Sequence, residues 1–121
     1  METVNHESYV SLEVAKLLKE TGFDWECIMA YDAVLNNHIG DYGIYNHNKV
    51  PDFTSAPTLD VAQRWLREVK DEYVVIEIVA PGIYKVSILG RDCTSKSFKT
   101  YEEAQEEGIK AALEIILEKG E

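Results

Sequence analysis

The sequence has few cysteines, and the two it has, Cys27 and Cys93, form no CxxC pair. Two cysteines are too few for a disulfide framework, so they are expected to be reduced thiols in a cytosolic protein. Long apolar runs are also missing, since none approaches the roughly 18 residues of a membrane span. The opening residues METVNHESYV contain neither the cationic nor the apolar region of a secretion signal. These absences predict a cytoplasmic protein with no membrane partner.

Cationic residues are scarce as well. The chain has 12 Lys and Arg against 22 Asp and Glu, a formal net charge of -10. Like charge repels a phosphate backbone, so the composition disfavours nucleic-acid binding by the protein as a whole. The remaining composition is globular, with 45% hydrophobic and 28% charged residues. The 121 residues predict one domain, residues 1–121, with a subdivision into residues 1–57 and 58–121 as the alternative.

Hydrophobic periodicity predicts three helices, each with its own start signal. Ser11, Thr58 and Thr100 are the predicted N-cap residues, because their hydroxyl groups can accept hydrogen bonds from the free N–H groups of the first turn. Glu103 completes a capping box with Thr100. Gly108 belongs to a small-residue face of the last helix, which lets that helix lie close to a sheet.

Alternating and β-branched patterns predict five strands, at residues 25–32, 44–45, 73–79, 83–89 and 96–99. Residues 36–43 are expected to form a loop, and the residues from 46 to Pro57 to be rich in turns. Pro81 and Gly82 suit a type II turn between the third and fourth strands. The predicted order is α-β-β-α-β-β-β-α. This is an α+β fold of two layers, in which antiparallel sheets carry helices on one face.

One stretch of the chain is locally basic and is followed at once by an acidic helix start. The basic strip consists of Lys85, Arg91, Lys96 and Lys99. It is the candidate nucleic-acid contact. A plainer interpretation is that lysines on edge strands block sheet-to-sheet aggregation. The glutamates that follow stabilise the helix N-terminus by about 0.3–1 kcal/mol each.

From Thr58 onward, the helix–hairpin–strand–helix order resembles the α-β-β-β-α order of double-stranded RNA-binding domains. The segment TYEEAQEEGIKAALEIIL is similar to the final helix of that family in the spacing of its alanines. The resemblance implies the family's fold for the second half of the chain. Members of the family place lysines at the start of this helix, where this chain has Glu102, Glu103 and Glu106. Carboxylates there would repel RNA, so the resemblance implies the fold without the activity.

A second resemblance covers most of the chain. The segments YVSLEVAKLLKETGFDW, TLDVAQRWLREVK and FKTYEEAQEEGIKAALEII resemble a group of small uncharacterised proteins carried by phages and mobile elements of gut bacteria. That resemblance implies a cytosolic accessory protein. It carries over no catalytic residue.

Patterns that support catalysis or cofactor binding are missing from the sequence. The histidines show no HxxxH spacing, and Gly40 and Gly43 form no phosphate-binding loop. Cys93 has cations nearby but no histidine close in sequence to act as a base. The chain is therefore predicted to be no enzyme and to bind no metal or cofactor. The alternative is an enzyme of small substrates with a pocket lined by His38, His47 and Cys93.

The segment of residues 36–53 is too long for a simple connection and is rich in aromatic and histidine side chains. The candidate partner surface consists of His38, Tyr42, Tyr45, His47 and Phe53. Tyrosines supply interface area at little entropic cost, although ordinary packing of these residues is the alternative. The leading hypothesis is a non-catalytic accessory or protein-binding module whose partner is a host protein or a second copy.

Three alternatives to a host-protein partner stay open. A nucleic-acid-binding module would bind through the basic strip. An acidic inhibitor that mimics DNA would use the negative net charge of the chain. Self-association would use the last helix and the edge strand after Gly90 as surfaces of a two-fold dimer.

Overall fold

A computed structural model describes residues 8–91 and 96–119 of the chain. The described residues form three α-helices and five strands, in the order α1 (Leu12–Thr21), β1 (Cys27–Asp32), β2 (His38–Tyr45), β3 (Phe53–Ser55), α2 (Leu59–Val69), β4 (Val74–Ala80), β5 (Ile83–Ile88) and α3 (Tyr101–Lys119). Short 3-10 turns at Ala33–Leu35 and His47–Lys49 flank β2. The predicted α+β class is confirmed.

The strands form two antiparallel sheets. One has the order β2-β1-β3, and the other is the hairpin of β4 and β5. Helix α3 packs against α1, α2 and both strands of the hairpin, while α1 also packs against β3. The helix α3 is therefore the element around which the other parts assemble.

The helix starts agree with their predicted caps. The Ser11 hydroxyl accepts a hydrogen bond from the Val14 N–H at 3.2 Å, and the Thr58 hydroxyl accepts one from the Val61 N–H at 3.2 Å. At α3, the Glu103 N–H donates to the Thr100 hydroxyl at 3.1 Å. These contacts satisfy N–H groups that have no partner inside the helix.

The core lies where α1 and α2 meet α3. Its largest fully buried side chains are Trp65, Phe23, Leu18, Leu66, Ile88, Ile109 and Leu113. The rings of Phe23 and Trp65 meet edge to face with centroids 5.3 Å apart, an arrangement that aromatic pairs favour. The predicted small-residue face of α3 is buried over the hairpin, and Gly108 is its closest point of approach.

A chain of hydrogen-bonded polar groups joins α3, α2 and β4, and its central member Gln105 is buried. The Gln105 amide nitrogen donates to Asp60 Oδ1 at 2.7 Å and to Gln63 Oε1 at 2.8 Å. The Gln63 amide nitrogen in turn donates to the Val74 carbonyl at 3.0 Å. Gln105 is 2% exposed, so its two bonds satisfy an amide nitrogen that water does not reach.

The strand assignment differs from the prediction in three places. Residues 38–43, expected to be a loop, belong to β2, and Phe53–Ser55 form an additional strand, β3. The expected strand at residues 96–99 is reduced in its described part to one bridge, in which Tyr84 and Phe98 exchange backbone hydrogen bonds of 2.9 and 2.8 Å. The described order is therefore α-β-β-β-α-β-β-α.

Most of β2 was not predicted as a strand because it is formed by pairing with β1 rather than by a pattern in its own sequence. Seven of the eight residues of β2 are exposed, so β2 shows no alternation of buried and exposed side chains from which a strand could be predicted. Its pairing with β1 supplies the strand geometry instead. None of the helices in the described part of the chain is long and apolar enough to cross a membrane.

Candidate functional site

The β1–β2 hairpin contains an irregularity that shapes the surface around it. Cys27 lies opposite Tyr45 and Met29 lies opposite Asp41. The single residue Ile28 therefore faces the three residues 42–44. Within these three residues, Gly43 has a φ of 82°, a conformation that glycine adopts without strain. The bulge bends β2 and removes the regular hydrogen-bond partners of nearby carbonyl groups.

His47 closes this bulge. Its Nε2 atom lies 3.0 Å from the Cys27 carbonyl oxygen and 2.9 Å from the Gly43 carbonyl oxygen. Both carbonyls can only accept, so the Nε2 atom carries the proton and shares it between them. The side chain is 3% exposed. The role of His47 is thus structural, because it satisfies polar groups that the bulge leaves without partners.

The structure brings four of the five predicted partner-surface residues together. The rings of Tyr42, Tyr45 and Phe53 surround His47, with centroids 6.3, 5.8 and 6.2 Å from the imidazole. Tyr42 and Phe53 also meet edge to face at 4.7 Å. His38 lies apart from this group, at the first residue of β2 opposite Asp32. His47 is packed inside the cluster, whereas Tyr42 and Tyr45 are exposed. The partner surface stays a prediction.

Asp32 anchors the Tyr42 end of the cluster. This buried carboxylate accepts a hydrogen bond from the Val34 N–H at 2.9 Å and one from the Tyr42 hydroxyl at 3.4 Å. Partial desolvation and the negative charge of Asp32 raise the pKa of the Tyr42 phenol. The phenol therefore keeps its proton and remains a donor to Asp32.

An apolar groove of about 320 Å³ lies beside the bulge. It forms because β3 ends at Ser55 and the chain then turns into α2. The last bond along β1 runs from the Ala56 N–H to the Met29 carbonyl at 2.9 Å, and Pro57 has no N–H with which to continue the pairing. The two segments diverge from that point. The groove is lined by Tyr9, Glu26, Cys27, Ile28, Met29, Ile44, Ala56, Pro57, Thr58 and Val61.

The walls of this groove favour binding over nucleophilic catalysis. Ile44 is 70% exposed and Ile28 is 46% exposed, so an apolar ligand would cover surface that now contacts water. The Cys27 thiol lies 3.4 Å from the Met29 carbonyl. Burial raises the pKa of the Cys27 thiol. The uncharged thiol that results is a weak nucleophile.

The cations of the predicted nucleic-acid strip lie beside carboxylates. Lys85 pairs across the hairpin with Glu77, and Arg91 Nη2 lies 3.5 Å from Glu72 Oε2. Lys96 lines a shallow surface together with Glu102, Glu103, Glu106 and Glu107. Lys99 is exposed, and its backbone N–H donates to Glu103 at 3.3 Å. The positive field of the strip is therefore reduced by neighbouring negative charge.

The remaining sequence-predicted groups do not combine into a site. The predicted small-substrate pocket combines His38, His47 and Cys93. Cys93 lies outside the described residues, so the structure describes only the two histidines of this set. His38 is exposed, whereas His47 is buried and committed to two carbonyl groups. Over residues 8–91 and 96–119, no cluster of three or more His, Cys, Asp or Glu side chains could hold a metal ion.

Sequence reasoning missed the groove. Ile28 and Ile44 were assigned to neighbouring strands, but the space between them and Pro57 depends on where β3 ends. Comparison with known proteins adds no assignment, because no family model, curated protein or solved structure matches the chain. The resemblances to double-stranded RNA-binding domains and to phage proteins stay predictions.

Proposed function

We propose that this protein is a small, non-catalytic protein-binding module. Its groove beside the β1–β2 bulge receives apolar side chains from a partner segment that also carries basic residues. The observation that supports this proposal most strongly is the pair of exposed isoleucines, Ile28 and Ile44, on the walls of an apolar groove of about 320 Å³. Ligand sites are typically apolar clefts of about 300–1,000 Å³, and exposed apolar patches often mark interaction sites.

Apolar exposure extends beyond the groove along the same hairpin. Val34 is 72% exposed, Leu35 is 55% exposed and Tyr45 is 46% exposed. The buried centre of a protein interface is more apolar than its rim, and tyrosine is enriched there. The hairpin therefore offers a partner more than one apolar contact.

The charge around the hairpin favours a basic partner. Residues 24–57 contain five carboxylates, at positions 24, 26, 32, 41 and 52, but only one lysine, Lys49. Glu26 is exposed and lines the groove, Asp24 is exposed two residues before it, and Asp41 is exposed on β2. Complementary charge accelerates encounter and rejects acidic competitors.

The hairpin and its surroundings are held in place before any partner binds. The Asn48 amide donates to the Phe23 carbonyl at 3.0 Å and accepts from the Ser55 N–H at 2.9 Å. Lys19 Nζ donates to the Phe53 carbonyl at 2.7 Å. A surface that is already ordered loses less conformational entropy on binding.

A peptide-display selection tests this function. Wild-type protein is used for selection and the Ile44→Lys variant for counter-selection. Peptides with a large apolar residue flanked by Lys or Arg are expected to be enriched, with dissociation constants of about 1–100 μM. Ile44→Lys should weaken their binding at least about tenfold, because it places a charge in the groove wall.

The matched control is Ile78→Lys, at an equally exposed isoleucine of β4 (65%). This control should bind the selected peptides as the wild type does. Peptides whose binding is the same for wild type, Ile44→Lys and Ile78→Lys would contradict the proposal.

A further inference from the structure

We propose that two copies of this protein associate through β4, by pairing their exposed strand edges across a two-fold axis. Strand β5 has β4 on one side and the Tyr84–Phe98 bridge on the other. Strand β4 pairs with β5, and no strand of the described part of the chain lies along its outer edge. An open edge of this kind is a template for another strand.

The direction of the backbone groups along β4 follows from two contacts. The Leu89 N–H donates to the Tyr73 carbonyl at 2.8 Å, which places Tyr73 in a hydrogen-bonded pair. In an antiparallel ladder such pairs alternate, so the groups of Val75 and Glu77 point toward β5. Those of Val74, Ile76 and Ile78 point outward. The Val74 carbonyl confirms this direction, because it accepts from the Gln63 side chain on α2.

The groups that can pair with a second strand centred on Glu77 include the N–H and carbonyl groups of Ile76 and Ile78. The sequence around them, Val-Ile-Glu-Ile-Val at residues 75–79, reads the same in both directions. An antiparallel pair centred on Glu77 places Ile76 of each copy opposite Ile78 of the other copy. All four groups then form hydrogen bonds, and two hairpins become one four-stranded sheet.

The side chains along this edge favour the same pairing. Ile78 is 65% exposed, Val79 is 53% exposed and Val75 is 42% exposed. A two-stranded sheet is marginal in water, and additional strands make it more stable. The strand lacks the lysines and prolines that protect many edges.

Glu77 is the one polar side chain of β4, and substituting it tests the proposed register. Within one copy it faces Lys85 on β5. In the proposed pairing it also faces Glu77 of the second copy, so the outer face carries a row of Lys, Glu, Glu and Lys. Like charges placed directly opposite each other weaken a strand pair. Removing this charge should therefore strengthen the dimer.

Sedimentation of the full chain over a concentration series up to about 1 mM tests the pairing. The wild type is expected to convert from monomer to dimer within this range. Ile78→Lys should weaken association at least about tenfold, because it buries two charges at the new interface. Glu77→Gln should tighten it by up to about fivefold. Ile44→Lys is the matched control, and it should leave association unchanged.

Amide hydrogen exchange checks the interface independently of any substitution. Raising the protein concentration should increase the protection of the Ile76 and Ile78 amides, while the amides of Val75 and Glu77 stay as they are. A wild type that is monomeric at about 1 mM would overturn the proposal. A dimer that Ile78→Lys leaves intact, or that Glu77→Gln does not strengthen, would overturn it as well. Peptide binding by the groove depends on Ile44 and not on Ile78, so failure of one proposal is distinguishable from failure of the other.

Discussion

Gly108 of α3 lies so close to Val86 of β5 that a Cβ atom on the glycine would come within 2.5 Å of the valine Cγ2 atom. The same Cβ atom would lie 2.6 Å from Cγ1 of Val74. No side chain larger than hydrogen fits without movement. The distance between the last helix and the second hairpin is therefore set by this one residue.

Gly108→Ala is expected to destabilise the protein by up to about 2 kcal/mol. Overpacking costs about 1–3 kcal/mol, and the better helix propensity of alanine offsets about 1 kcal/mol. Chemical denaturation measures the change in the free energy of unfolding. If crowding is the cause, Val86→Ala costs less in the Gly108→Ala background than in the wild type. A Gly108→Ala variant more stable than the wild type would show that propensity alone decides the outcome.

His47→Leu is expected to cost about 2–3 kcal/mol, because it leaves the Cys27 and Gly43 carbonyls without a donor in a buried setting. His47→Gln keeps an amide N–H near the same position and should cost less. Urea unfolding of both variants compares the two losses. Equal losses would mean that the imidazole contributes through packing with Tyr42, Tyr45 and Phe53 rather than through its hydrogen bonds.

The Cys27 thiol is expected to ionise at higher pH in the folded protein than in the unfolded chain, because burial raises its pKa. Alkylation of a Cys93→Ser variant, followed as a function of pH, measures this midpoint, and the same variant in denaturant provides the reference. The folded protein favours the neutral thiol. The contribution of the neutral thiol to stability is therefore complete below the unfolded pKa, and it is lost as the pH rises from there through the higher folded pKa. Coincident midpoints would contradict the burial effect.

Ile44→Lys should change the free energy of unfolding by no more than about 0.5 kcal/mol. The side chain is 70% exposed, and surface substitutions without a buried partner have effects of this size. Thermal unfolding compared with the wild type checks this. A large loss would mean that Ile44 supports the bulge, and the variant would then be unsuitable for testing peptide binding.

Locally encoded features could be predicted from the sequence. The caps at Ser11, Thr58 and Thr100 depend on contacts within three residues, and the second hairpin depends on the turn at Pro81 and Gly82. The face of α3 that contains Gly108 follows from helical spacing alone. Each of these features is found in the structure.

Features that depend on distant parts of the chain could not be predicted. Strand β2 is exposed along almost its whole length, so its pairing with β1 leaves little trace in its own sequence. The burial of His47 follows from a bulge made by residues 20 and 4 positions away. The groove depends on where β3 ends, and no local pattern encodes that point.

The polar chain from the buried Gln105 through Gln63 to Val74 has a direction. A backbone carbonyl can only accept, so the Gln63 amide must turn its nitrogen toward Val74 and its oxygen toward Gln105. The carboxylate of Asp60 imposes the same orientation on Gln105. A shift of α3 by one helical turn would bring Tyr101 or Ile109 to the place of Gln105 and would separate the Asp60 and Gln63 acceptors from the Gln105 amide. These hydrogen bonds therefore favour a single alignment of two helices and a strand.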